Sequence, residues 1–70
     1  MKKIMVIEDD RALCSGICIA LQSQTSQFVP CSSIREAQQK LCQDTYDLVI
    51  LDLNLPDGNG EFLCRWIRKQ

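Results

Sequence analysis

The chain has 70 residues, 46% hydrophobic and 24% charged, with a formal net charge of -1. That balance describes one small folded domain and excludes intrinsic disorder. It also argues against a nucleic-acid surface, and no apolar run approaches the roughly 20 residues of a membrane span.

Residues Lys3–Ile7 (KIMVI) form a short β-rich apolar run that ends in Glu8, Asp9 and Asp10. From Arg11 the period changes, and Leu13, Ile17, Ala20 and Leu21 recur at helical spacing with Asp10 placed as N-cap. This first helix is expected to end near the polar cluster Ser23–Ser26. Phe28–Cys31 (FVPC) is a second strand. Pro30 has no N–H to give a ladder, so this strand belongs at a sheet edge. Ser33 and Glu36 have the spacing of a capping box. Ile34, Ala37, Leu41 and Cys42 then mark the apolar stripe of a second helix. Asp47 opens a third strand, Leu48–Leu51, and a third helix is predicted from near Gly60, with Phe62, Leu63, Trp66 and Ile67 on its buried side.

The order β-α-β-α-β-α implies a parallel sheet with helical crossovers. The runs IMVI and LVIL are almost continuously apolar, as expected of strands covered on both faces. An edge position for the Pro30 strand favours the order 2-1-3. Right-handed crossovers then place the first helix on one face and the second and third on the other. The chain reverses direction between strands 1 and 3, and ligands of open α/β sheets bind at the carboxyl ends of strands at such a switch point.

The five cysteines, Cys14, Cys18, Cys31, Cys42 and Cys64, are odd in number, and no secretory signal precedes them. MKKIMVIEDD has too short an apolar stretch for one, and no small-residue cleavage site. A disulfide framework is therefore not expected. The chain contains no histidine, which removes a Cys/His zinc site, and no CxxC pair occurs. The cysteines are expected to be reduced and to pack as small hydrophobes.

The acids fall where the switch-point rule directs. Glu8 and Asp9 close strand 1, and Asp52 closes strand 3. In the 2-1-3 order these strands are neighbours about 4.8 Å apart. Two carboxylates about 5 Å apart repel by roughly 3 kcal/mol at an effective dielectric of about 20. Three at one crevice therefore call for a cation, and oxygen ligands suit a hard divalent ion such as Mg²⁺.

These residues carry a family resemblance. IMVIEDD followed by LVILDLNLPDGNG resembles the receiver domain of bacterial two-component response regulators, over essentially the whole chain. The resemblance implies a flavodoxin-like, CheY-like fold, and it carries the order 2-1-3 itself. It implies that Asp52 accepts a phosphoryl group from a phosphohistidine on a sensor histidine kinase. Asp9 and Asp52 would bind Mg²⁺ directly, Glu8 partly through water, and the backbone carbonyl of Asn54 would add a ligand. Pro56 and Gly60 match the loop that follows the acceptor. A receiver of this family has five strands, with a Ser/Thr ending the fourth and a Lys ending the fifth. Residues 1–70 therefore correspond to its N-terminal half, through the third helix, without those two residues and without an effector domain. The expected protein is cytoplasmic, is not an enzyme, and serves transcription regulation in its full-length form.

Two enzyme or ligand-binding alternatives fit less well. A phosphatase of the haloacid-dehalogenase type wants a second aspartate two residues after the nucleophile, where this chain has Asn54. A flavodoxin-like nucleotide-binding domain wants a Gly/Ser/Thr-rich loop after strand 1, and EDDRAL is acidic. The remaining alternative is a fragment that self-associates without accepting phosphate. An open edge along Leu48–Leu51 and the apolar third helix lead to the expectation of a homo-oligomer, most simply a two-fold dimer.

Overall fold

A computed structural model describes residues 1–52 and 54–69. The central strand β1 (Lys2–Ile7) lies parallel to β2 (Ser26–Cys31) on one side and to β3 (Leu48–Leu51) on the other, giving the order β2-β1-β3. Pro30 sits opposite Val6 on the edge strand, where its missing N–H breaks no interior ladder. Helix α1 (Arg11–Leu21) crosses from β1 to β2, and α2 (Ile34–Gln43) from β2 to β3. After β3 come two short strands, β4 (Asn54–Leu55) and β5 (Gly58–Asn59), paired antiparallel, and then α3 (Gly60–Arg68).

The core lies on the face that α2 and α3 cover. Met5 and Ile7 from β1 meet Cys31, Ile34, Ala37, Leu55 and Leu63 there, with Leu41, Tyr46, Val49, Leu51, Trp66 and Ile67 packed around them. Met5, Ile7 and Leu63 are essentially solvent-free. Complete burial of such side chains stabilises by about 1.5–3 kcal/mol each. Val6 is one residue out of step, so the pleat turns it to the other face, where α1 packs on β1. Thus α1 lies on one face, and α2 and α3 on the other, as right-handed crossovers require.

Three details of helix packing differ from the sequence-based expectation. The buried side of α1 is centred on Cys14, with Ile17 and Cys18 half-buried, whereas Leu13 and Leu21 are 52% and 51% exposed. Most of this helix's circumference is apolar, so periodicity alone does not single out a face. On α3, Leu63 is buried and Trp66 and Ile67 pack against the core, but Phe62 is 59% exposed. At about 100° per residue, Leu63, Trp66 and Ile67 fall within one arc of about 100°, and Phe62 lies beyond its edge. Cys42 of α2 is likewise exposed.

The helix caps follow from local chemistry. Asp10 Oδ1 accepts from the N–H groups of Ala12 and Leu13 at 3.0 and 3.1 Å. Ser33 Oγ accepts from Glu36 N–H at 3.1 Å. The reciprocal half of the capping box is displaced by one residue, because Glu36 Oε1 accepts from Ser32 N–H at 2.7 Å and not from that of Ser33. Asn59 caps α3 through Glu61 N–H at 2.8 Å. At the opposite end of the sheet, Lys3 Nζ pairs with Asp44 at 2.9 Å and lies over the Tyr46 ring. Among the described residues all five cysteines are free, and burial pushes the Cys31 thiol up to about 11. That agrees with packing and not reactivity.

Two glycines have opposite requirements. Gly58 has φ +152°, and a Cβ there would lie 2.9 Å from Ile34 Cδ1. Gly16, inside α1, has open space around it. Gly58→Ala is expected to lower unfolding free energy by about 1–3 kcal/mol through backbone strain and the clash. Gly16→Ala should raise it by about 0.5–1 kcal/mol. Urea titrations of both variants against the parent check the pair.

Candidate acidic phosphoacceptor site

Three carboxylates converge beyond the carboxyl ends of β1 and β3. Glu8 N–H donates to the Cys31 carbonyl at 2.9 Å, and Asp52 N–H donates to the Ile7 carbonyl at 3.0 Å. The parallel ladders therefore run one residue past the strands, and they fix the backbones of the two acids beside each other. Carboxylate oxygens of Glu8, Asp9 and Asp52 all lie within 4.8 Å of one another. Asp10, the fourth acid in the region, is turned away to cap α1.

Neighbouring backbone orients the individual carboxylates. Asp10 N–H donates to Glu8 Oε1 at 3.1 Å, and Asn54 N–H donates to Asp52 Oδ1 at 3.1 Å. The bond from Asp10 favours the charged form of Glu8 and alone would lower its pKa. Desolvation and the adjoining carboxylates of Asp9 and Asp52 together outweigh it, and the pKa of Glu8 is raised from the ordinary 4.5. Among the described residues, neither of the two ion pairs reaches the cluster. The negative charge is thus concentrated and uncompensated by side chains, which is the condition a bound cation relieves.

The donor set fits a hard divalent ion. It is all oxygen, partly solvent-exposed, and close enough for one ion to be shared, with room for water ligands. Asp9 and Asn54 also line one cleft of about 390 Å³ with Leu55, Pro56, Gly58 and Asn59. The loop after Asp52 therefore borders the acids and does not stand apart from them.

Every site residue expected from the sequence lies in this region, but Asn54 is seen in a further role, as the N–H donor that holds the Asp52 carboxylate. One residue went unnoticed. Asp57 accepts from Ile34 N–H at 2.8 Å and from Arg35 N–H at 3.0 Å, so it caps α2 from 23 residues away. Its place between a proline and a glycine signals a turn, but nothing local signals the partner helix. The N–H groups of Arg35 and Ile34 hold its pKa below the ordinary carboxylate value.

The sequence profile of the response regulator receiver domain matches residues 4–70. The transcriptional regulatory protein BasR of Escherichia coli is 39% identical over 69 residues, which cover 97% of this chain and 31% of BasR. The regulatory protein VanRB of Enterococcus faecalis is 37% identical over 68 residues, again 97% of this chain and 31% of that protein. The chain thus spans about a third of the length of these relatives. Among solved structures, the non-phosphorylated HemR receiver domain from Leptospira biflexa superposes with a TM-score of 0.88 at 35% identity, covering 99% of this chain and 56% of that one. A chain in the crystal structure of histidine kinase ThkA in complex with response regulator protein TrrA gives a TM-score of 0.92 at 31% identity, covering all of this chain and 60% of that one. With the parallel 2-1-3 sheet and its acidic switch point, these matches establish that the chain belongs to the response regulator receiver domain family.

Proposed function

We propose that this chain is the phosphoryl-accepting portion of a two-component receiver, with Asp52 as the acceptor and a sensor histidine kinase as the donor. The observation that carries this reading is the cluster of Glu8, Asp9 and Asp52 within 4.8 Å, with Asp52 pinned by the ladder at its head. An oxygen of Asp52 attacks phosphorus, the P–N bond to the donor imidazole breaks, and that bond's electron pair returns to the ring nitrogen. The product is an acyl phosphate, so the chain is a stoichiometric acceptor and not an enzyme. Mg²⁺ bound by Asp9, Asp52, Glu8 (partly through water) and the Asn54 carbonyl would neutralise charge between the carboxylate and the incoming phosphoryl group. The residues themselves do the positioning: Ile7 holds the Asp52 backbone, and Asn54 N–H orients its carboxylate.

A kinase partner is supported by the ThkA–TrrA complex among the structural relatives, and a transcriptional output of the full-length protein by the name of BasR. Correspondence of residues 1–70 to the N-terminal half of a receiver is supported by their coverage of 56% and 60% of the two structural relatives. No described helix is long and apolar enough to cross a membrane, and a cytoplasmic location accords with a kinase-fed receiver.

A second reading, self-association without phosphate acceptance, is favoured by one observation. Among the described residues β3 pairs only with β1, and Leu48 and Phe62 are 52% and 59% exposed. An open apolar edge invites pairing with a second copy.

Four outcomes are expected. Mg²⁺ should raise the melting temperature of the parent by linkage, with no rise in Asp9→Ala. Without metal, Glu8→Gln should melt higher than the parent at neutral pH. The folded-state pKa of Glu8 lies above its ordinary 4.5. Its contribution to stability is therefore full below about pH 4.5 and is lost as pH rises through the folded pKa, a loss that Glu8→Gln lacks. Calorimetry across pH, in chelator and in Mg²⁺, checks both.

Incubation with acetyl phosphate and Mg²⁺ should add one phosphoryl group by intact mass, labile to hydroxylamine and absent in Asp52→Asn. An adduct that persists in that variant refutes the assignment.

For self-association, sedimentation equilibrium at tens of micromolar should show a two-fold dimer that Leu48→Lys dissociates. A concentration-independent monomer that accepts phosphate rejects the second reading.

A further inference from the structure

The loop that follows the acceptor is tied to a helix from another part of the chain. Its two strands contain two residues each, with Asn54 opposite Asn59 and Leu55 opposite Gly58. A ladder this short has little stability of its own. Three contacts hold it down. Leu55 is buried in the core, Gly58 lies close against Ile34, and the Asp57 carboxylate spans the Ile34 and Arg35 N–H groups at the start of α2. The first two are apolar or steric contacts. The third is directional and charge-assisted, because two otherwise unpaired N–H groups at a helix N-terminus face one carboxylate.

A continuous path of bonds leads from that cap to the acceptor. Asp57 joins Gly58 and Asn59, Asn59 pairs with Asn54 across the ladder, and Asn54 N–H holds Asp52 Oδ1 at 3.1 Å. We propose that Asp57 is a positioning residue of the acidic site: by capping α2 it fixes the hairpin 54–59, and through Asn54 it sets the orientation of the Asp52 carboxylate. Asp57 itself touches neither the acids nor the incoming group. The N-terminus of α2 and the acceptor carboxylate then move as one unit. The inference rests on the phosphoacceptor reading for its consequence, but its geometry stands without metal.

Hydrogen exchange of the Asn54 amide in the metal-free 70-residue chain tests it directly. In Asp57→Ala this amide should exchange about tenfold faster, while amides of β1 such as Val6 keep their protection relative to global stability. Asp44→Ala serves as control, because it removes the Lys3 ion pair at the far end of the sheet and should lower the melting temperature without selectively exposing Asn54. If Asp57→Ala does not fold, Asp57→Asn, which leaves one acceptor oxygen of two, should show a smaller acceleration in the same sense. An unchanged Asn54 rate in the folded variant overturns the proposal. Mg²⁺ titration followed at the same amide supplies the functional arm. The dissociation constant should rise about tenfold in Asp57→Ala, the low end of what is lost when a ligand-orienting partner, here Asn54 N–H, is loosened, and an unchanged constant would leave Asp57 a purely structural cap and also overturn the proposal. If the parent binds no Mg²⁺ at all, the phosphoacceptor reading fails, and the exchange result still judges Asp57.

Discussion

The pairing of β1 with β3 is the constraint on which the site depends. It extends one residue beyond β3, because Asp52 N–H reaches the Ile7 carbonyl at 3.0 Å. A backbone bond of this kind is insensitive to what the side chain carries, so it can hold a carboxylate where other carboxylates make it unwelcome. On the other side of β1, Glu8 N–H is fixed to Cys31 in the same way. The apolar packing of Met5, Ile7 and Leu51 underneath supplies the stability that the acid cluster subtracts. The acids are thereby crowded at a fixed point, where the Asp10 N–H bond is outweighed by desolvation and then by the neighbouring carboxylates of Asp9 and Asp52, which leaves the pKa of Glu8 raised. A bound cation, as proposed above, would relieve that crowding.

Negative charge elsewhere in the molecule is handled differently, and the contrast is instructive. Asp10, Glu36 and Asp57 all lie near helix N-termini and accept backbone N–H groups. For Glu36, the Ser32 N–H and then the proximity of Lys40, opposed by some desolvation, leave the pKa lowered. These acids are neutralised by helix ends, where unpaired donors and the macrodipole favour an anion. Among the described residues, the acids that close β1 and β3 form the one cluster of three. The difference is one of placement and not of residue type, which is why a count of aspartates carries no functional information here.

The hairpin after Asp52 links these two kinds of acid. It borders the crowded cluster through Asn54 and the capped helix through Asp57. A loop of six residues with a two-by-two ladder would be mobile if attached only at its ends. Here a buried leucine and a glycine with φ +152° seat it against α2. The glycine is favoured because the chain adopts a backbone angle that other residues avoid, and because a Cβ there would force the Ile34 Cδ1 methyl, 2.9 Å away, to shift.

Much of this was legible in the sequence. The strands are nearly continuous apolar runs, the proline marks an edge, and Glu8, Asp9 and Asp52 end two runs that the alternation of elements makes neighbours. These are local patterns, and local patterns fix strands and caps, while the order of the sheet rested on the edge proline together with the family resemblance. What the tertiary structure alone decided is of another kind. It chose Cys14 over Leu13 as the buried side of α1, and it turned Phe62 outward. It placed the second half of the expected capping box on Ser32, and it paired Asp57 with a helix 23 residues earlier in the chain. The physical reason is that a helix apolar on most sides has no preferred face until a sheet is laid against it. Likewise, a carboxylate beside a turn has no preferred donor until a helix end is brought within 3 Å of it.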